Sequence, residues 1–193
     1  MNRRDILKYT SLTFGVVATG GAMSALLSGC KVEPKIDFTP EFLSMDEIQS
    51  ISSTVDIIFP KTDTPSASEV GVPEFIDGTL ANVADAEDKE NFKAGLIKLN
   101  EHSQTEHGKA YNDLDEDTKL AFLTKVDEMA FSEDENKDKV LAKFWRGIKG
   151  NTYMGYFSSE KVAKDVLVYA PVPGVYEGCV DLAATTGGKT WAY

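Results

Sequence analysis

Apolar residues recur at helical spacing through most of the chain. Behind Ser44-Met45-Asp46-Glu47, which has the form of a capping box, Ile48, Ile51, Val55 and Ile58 share one helical face, and Pro60 stops that element. A turn-rich stretch follows, Lys61-Thr62-Asp63-Thr64-Pro65-Ser66, and Pro73 opens a second helix carrying Phe75, Ile76, Leu80 and Val83. Phe92, Leu96 and Leu99 predict a third helix. Leu120, Leu123 and Val126, continued by Met129 and Ala130, predict a fourth. Leu141, Phe144, Trp145 and Ile148 predict a fifth, its end weakened by Gly147 and Gly150, and Ser159 caps a short sixth piece through Val162 and Val166. No stretch before Tyr169 alternates as a strand does. The expectation is a mainly α fold: a single compact domain of five to six helices spanning residues 44–193.

The C-terminal stretch breaks this pattern. Tyr169 to Cys179 holds Pro171, Pro173, Gly174, Tyr176 and Gly178 with almost no charge, and the chain closes on Gly187-Gly188-Lys189-Thr190-Trp191-Ala192-Tyr193. Proline lacks the amide donor and holds the preceding residue extended, so no helix is expected across residues 169–179. An irregular, aromatic, Pro-rich segment of this kind is expected to lie along a surface, either the protein's own or a partner's.

The N-terminus reads as an address. Arg3 and Arg4 precede a weakly apolar run from Tyr9 to Leu27 that is diluted by Thr10, Thr13, Gly15, Thr19, Gly20 and Gly21. Paired arginines before such a run form the bacterial twin-arginine export pattern, which is read by the twin-arginine translocase. Leu27-Ser28-Gly29-Cys30 then resembles the lipoprotein cleavage box, with Cys30 as the lipid-modified residue. An uncleaved anchor helix is the alternative. The expected organisation is a signal over 1–29, a lipidated tether over 30–43 containing Pro34 and Pro40, and the domain after it. The product would be a periplasmic, membrane-anchored lipoprotein of a bacterial envelope.

Charge sharpens this picture. The 193 residues hold 20 Lys and Arg against 31 Asp and Glu, a net −11. Residues 1–29 contain three of the bases and one of the acids, so the remainder has 17 against 30, a net −13. Such a surface repels phosphate backbones, and no nucleic-acid partner is expected. Two Cys and two His leave no room for a multi-Cys zinc site, a thiolate-held iron–sulfur cluster or a Cys-x-x-Cys-His haem attachment.

Candidate chemistry is thin. His102 and His107 are five residues apart and do not share a helical face, so they read as solvated surface residues. Asp113, Asp115 and Asp117, and likewise Asp134, Asn136 and Asp138, alternate as calcium-loop ligands do. Neither run has the Gly at the sixth position or the Glu at the twelfth, and both read as acidic loops or helix starts. Cys179 is expected to be a buried structural thiol; a reactive nucleophile or an intermolecular link are the alternatives. Phe144 and Trp145 read as core, with a docking site as the alternative. Dinucleotide, phosphate-loop and nucleophile-elbow motifs are missing.

Several blocks taken together resemble a known family. They are Ile57-Ile58-Phe59-Pro60-x-Thr62-Asp63-Thr64-Pro65, Gly71-Val72-Pro73-Glu74-Phe75-Ile76-Asp77, Phe144-Trp145, Tyr156-Phe157-x-Ser159-Glu160, Pro171-Val172-Pro173-Gly174-x-Tyr176-x-Gly178-Cys179 and Trp191-Ala192-Tyr193. In this order, from about Ser44 to Tyr193 and behind an arginine pair, they resemble the gluconate 2-dehydrogenase subunit 3 family. The resemblance implies a small, non-catalytic subunit with no cofactor of its own. Its implied partner is a large flavoprotein subunit of glucose–methanol–choline type that binds FAD and oxidises a sugar or polyol. A multihaem cytochrome c subunit often completes such complexes. The lipoprotein box is not assumed for the family, and here it suggests that the small subunit itself tethers the assembly.

Three functions are therefore weighed. The first is an accessory subunit that escorts, stabilises and anchors a flavin dehydrogenase. Its expected contact surface comprises Thr62, Asp63, Thr64 and Pro65 together with Pro171, Pro173, Tyr176, Cys179, Trp191 and Tyr193 of the tail. The second is a stand-alone envelope lipoprotein that binds a ligand or scaffolds an assembly. The third is an autonomous enzyme with Cys179 as nucleophile.

Overall fold

A computed structural model describes residues 36–170, 172, 174 and 177–192. Five helices of more than ten residues make up the body: α1 (Met45–Ile58), α2 (Val72–Asn82), α3 (Ala86–His107), α4 (Glu116–Phe131) and α5 (Lys139–Ser158). A π-helical turn, Val162–Val166, and a short helix α6 (Leu182–Thr186) follow. The described residues contain no β-strand, only one isolated parallel bridge between Val168 and Trp191. The mainly α architecture is as expected.

The helix starts follow from local chemistry. Ser44 and Glu47 form the capping box reciprocally, the Ser44 hydroxyl accepting from the Glu47 amide and the Glu47 carboxylate accepting from the Ser44 amide. Pro73 lies in the first turn of α2 behind Gly71, whose φ of +81° suits glycine. The two acidic runs serve as helix starts. Asp115 accepts from the Thr118 amide at 2.9 Å to cap α4, and Asp138 accepts from the Leu141 amide at 2.9 Å to cap α5. Asp138 also faces His102 Nε2 at 3.3 Å. Burial pushes its carboxyl up, but the Leu141 amide and His102 outweigh that and hold it below the usual carboxylate range. Replacing Asp138 by Ala should cost about 1 kcal/mol. The lowered carboxyl means that this stabilisation is present above the unfolded carboxylate value and lost as pH falls, so urea midpoints of wild type and Asp138→Ala should converge as pH falls below the ordinary carboxylate range.

α5 is the central helix, packing against α1, α2, α3 and α4. Leu141, Phe144, Trp145, Ile148 and Tyr156 on it are buried, which fixes Phe144 and Trp145 as core residues. Trp145 Nε1 donates to Asp127 at 2.5 Å, so its polar edge is satisfied. Phe92 of α3 meets Phe144 edge to face at 5.1 Å. At two positions on the contacts of α5 with α3 and α2, an aromatic side chain comes close enough to require glycine. A Cβ on Gly95 would meet Phe144, and one on Gly155 would meet the Phe75 ring at 2.7 Å.

Four expectations change. Gly147 and Gly150 do not end α5, which continues to Ser158 because its inner face stays buried through Thr152 and Tyr156. Leu120 is exposed, since the buried stripe of α4 runs through Phe122, Leu123, Val126 and Ala130, about a third of a turn away. Val83 closes α2 as its C-cap and is exposed. His107 is only half-exposed: its ring meets Phe122 edge on at 5.8 Å, and its buried Nε2 makes no hydrogen bond, the nearest carboxylate oxygen being that of Glu106 at 3.9 Å. Residues ahead of Ser44 also join the body, with Leu43 buried and Ile36, Phe38 and Phe42 packed against the core.

Candidate functional site

The loop between α1 and α2 is closed at its neck by a hydrogen bond from the Ala67 amide to the Phe59 carbonyl at 3.0 Å. Asp56 fastens it from α1, accepting from the Ser68 amide at 2.7 Å and the Ser68 hydroxyl at 2.6 Å. The tip, Thr62 to Pro65, is folded on itself. The Thr62 amide donates to the Thr64 carbonyl at 3.0 Å, and the Thr62 hydroxyl donates to the Asp63 carboxylate at 3.0 Å. Tyr156 of α5 donates its hydroxyl to the Pro65 carbonyl at 2.9 Å while its ring stacks on Phe59 at 4.3 Å. A conformationally fixed, solvent-facing loop rests on an aromatic floor.

This loop forms one wall of an open groove of about 570 Å³, whose other wall is Lys161, Asp165 and Val166 in and before the π-turn. Two ion pairs line it, Lys61 with Glu69 and Lys161 with Asp165 at 3.0 Å, while Asp63 is held by the Thr62 hydroxyl. The hydrogen bond from Lys61, helped by the Ser66 amide, holds the Glu69 carboxyl below its ordinary value. An open, charged groove of this kind suits a protein surface better than a small molecule, which favours an enclosed apolar cleft.

The tail roots beside the same groove. The Val168 amide donates to the Thr190 carbonyl and the Ala192 amide to the Val168 carbonyl, both at 2.9 Å, and Lys189 reaches the Asp165 carbonyl at 3.4 Å. Asp165 thus belongs to both: its side chain lines the groove walled by the Thr62–Pro65 loop, and its carbonyl takes Lys189 at the base of the tail. The described residues of the tail are mostly exposed. Val172 is 85% exposed, and Tyr169, Val180, Leu182 and Trp191 are also exposed. Cys179 is exposed too. That corrects the expectation of a buried thiol, because the described part of this segment does not lie over the helices that would have covered it. The segment is also less irregular than expected, since Asp181 caps α6 by accepting from the Ala184 amide at 2.8 Å. Arg3, Arg4, Cys30, Pro171, Pro173, Tyr176 and Tyr193 lie outside the described residues.

One surface escaped sequence reasoning. On the solvent side of α5, Tyr153 and Met154 are exposed beside Gly147 and Gly150, where a Cβ would meet nothing within 4 Å. Tyr153 stacks toward Phe157 at 4.6 Å, and Phe157 meets Phe59 at 5.6 Å, so this face runs into the aromatic floor under the loop. The signal was present in the uncharged run from Gly150 to Phe157, but it reads as a weak helix end until the helix is seen to continue. Among the described residues, no three or more His, Cys, Asp or Glu side chains gather as a metal site would require, and no helix is long and apolar enough to cross a membrane.

The family model of gluconate 2-dehydrogenase subunit 3 matches residues 45–174, which takes in all five long helices, the Thr62–Pro65 loop and the start of the tail. No curated protein and no solved structure matches the chain. With that match over two thirds of its length, the chain belongs to the gluconate 2-dehydrogenase subunit 3 family.

Proposed function

We propose that this chain is the non-catalytic small subunit of an FAD-dependent, glucose–methanol–choline type dehydrogenase acting on a sugar or polyol. It escorts the folded, flavin-loaded large subunit through the twin-arginine translocase, stabilises it, and tethers it to the envelope membrane through lipid on Cys30. A multihaem cytochrome c subunit is a further partner where electrons pass on to the membrane. The observation that carries this reading is the uncovered apolar tail rooted at the loop groove. Val172, Val180, Leu182 and Trp191 are exposed on a chain whose net charge is −11. Exposed apolar residues clustered on an acidic protein mark an interface.

The test is a mild-detergent pull-down of the tagged chain from its own membranes. A flavin spectrum with a co-purifying large subunit supports the reading; a colourless, solitary lipoprotein sinks it. Deleting residues 171–193 should release the large subunit and remove no more helical circular dichroism than the five residues of α6 supply. Full co-purification by the truncated chain would show that the tail is not the contact.

A further inference from the structure

Asp77 sits in the middle of α2 and is 2% exposed. Its two carboxylate oxygens accept three consecutive backbone amides from a segment more than thirty residues earlier: Glu41 at 2.6 Å, Phe42 at 3.2 Å and Leu43 at 2.8 Å. Charge-assisted bonds of this type are about twice as strong as neutral ones. A buried carboxylate is costly unless its lone pairs are filled, and here amides of the incoming segment fill them. The side chains of that segment are fixed as well. Leu43 is buried, Ile36, Phe38 and Phe42 pack on the core, and Lys89 and Lys93 of α3 stand over the Phe42 ring at 5.7 and 4.9 Å. Asn82, at the end of α2, donates to the Glu41 carboxylate at 3.1 Å. The capping box of α1 needs none of this, since Ser44 and Glu47 complete it between themselves.

We infer that Asp77 clamps the root of the membrane anchor, turning a lipid leash into a short mount. The inference rests on the reading of Cys30 as lipidated. Covalent geometry then limits the gap. From Cys30 to Ile36 the chain has six residue steps, which span about 20 Å at full extension. Part of that length is taken up by the headgroup layer, roughly 5–7 Å per leaflet. The body is therefore held against the bilayer with its Ile36–Leu43 face, at the C-terminal half of α2, on the membrane side. The loop groove adjoins the other end of α2, because Glu69 on its wall precedes that helix. Eleven residues of helix put roughly 16 Å between the two ends. Without the clamp, the free chain would extend to Leu43 and its reach would double, to about 45 Å.

Lys31 and Lys35 lie inside the gap and provide the probe. The full chain is kept in its membranes and treated with trypsin, and cleavage at these two sites is followed by mass. A protease needs several extended residues in its cleft, which a mounted body denies. The wild type should be cut there slowly. A variant with ten Gly/Ser residues inserted between Lys35 and Ile36 leaves the clamp intact and should be cut on the order of tenfold faster. Asp77→Asn should also be cut faster, and the peptide covering Glu41 to Leu43 should gain deuterium sooner than in wild type. Wild-type cleavage as fast as in the insertion variant, with lipid found on Cys30, overturns the mount alone. A Cys30 peptide without lipid overturns both the mount and the lipoprotein reading beneath it. Unchanged deuterium uptake in a folded Asp77→Asn protein removes Asp77 from the role.

Discussion

Gly95→Ala should lower the stability of this protein by about 2 kcal/mol, whereas Gly150→Ala on the neighbouring helix should raise it by about 0.5–1 kcal/mol. The two glycines look alike in sequence, each inside a long amphipathic helix. At Gly95 a new methyl group would collide with Phe144 Cβ and Cγ and come within 2.7 Å of Cδ2. A Cβ is fixed by its own backbone, so no rotamer of Phe144 clears the clash, and α3 and α5 must separate. Overpacking of this kind costs about 1–3 kcal/mol or somewhat more, and the better helix propensity of alanine returns about 1 kcal/mol. At Gly150 nothing lies within 4 Å, so only the propensity gain remains. Thermal melts should place Gly95→Ala on the order of 6 °C below wild type and Gly150→Ala about 2 °C above it. A Gly95→Ala protein as stable as wild type would mean that the α3–α5 crossing is looser than the Phe144 contact requires.

The same pair shows what could be read from the sequence and what could not. Signals that act within one turn were legible: Ser44 with Glu47 and Pro73 do locally what their positions implied, and the acidic runs, open between loops and helix starts in the sequence, supply the caps Asp115 and Asp138. The buried stripe of α5 was legible for the same reason, since Leu141, Phe144, Trp145 and Ile148 repeat at helical spacing. What failed depended on partners far along the chain. Gly95 answers to Phe144, Asp77 to amides of residues 41–43, and Tyr156 to the Pro65 carbonyl, pairings that no local window contains. Leu120 misled because a stripe drawn through Leu123 and Val126 fits them equally well with or without Phe122, and only packing against α5 chooses. Of the candidate surface, the loop was legible as a turn, but not the fact that its groove and the tail share Asp165.

That shared residue bears on how the subunit would work. A partner held only by the tail would hang on a segment rooted by a few hydrogen bonds around Val168, and its orientation would be poorly defined. One that also meets the loop, seated on Phe59 and Tyr156, contacts a surface fixed to two core helices. Affinity from the tail and orientation from the loop is the division of labour the proposed interface implies, because contacts that are already ordered cost less entropy on binding.

Tyr111→Phe should make the protein slightly less stable at neutral pH and more stable than wild type in strong alkali. Tyr111 is 2% exposed, and its hydroxyl lies 2.9 Å from Thr54 Oγ1. Thr54 donates its own proton to the Ser50 carbonyl at 2.8 Å, so Tyr111 is the donor in the pair. Burial pushes the Tyr111 hydroxyl up to about 12, with the hydrogen bonds to Thr54 and Ser53 opposing it only in part. The unfolded chain gives up this proton near 10. Below that value both states hold the proton and the full stability is present. As pH rises from about 10 toward 12 the unfolded state ionises first, and stability falls by about 3 kcal/mol before levelling off. Phenylalanine abolishes this term at the cost of one hydrogen bond, about 1 kcal/mol, and Thr54 keeps its bond to Ser50. Lysine titration is common to both proteins and cancels in the comparison. Urea midpoints measured from pH 7 to 12 should therefore cross near pH 11. Parallel curves would mean that Tyr111 ionises without unfolding the protein, and that the α1 contact at Thr54 admits water.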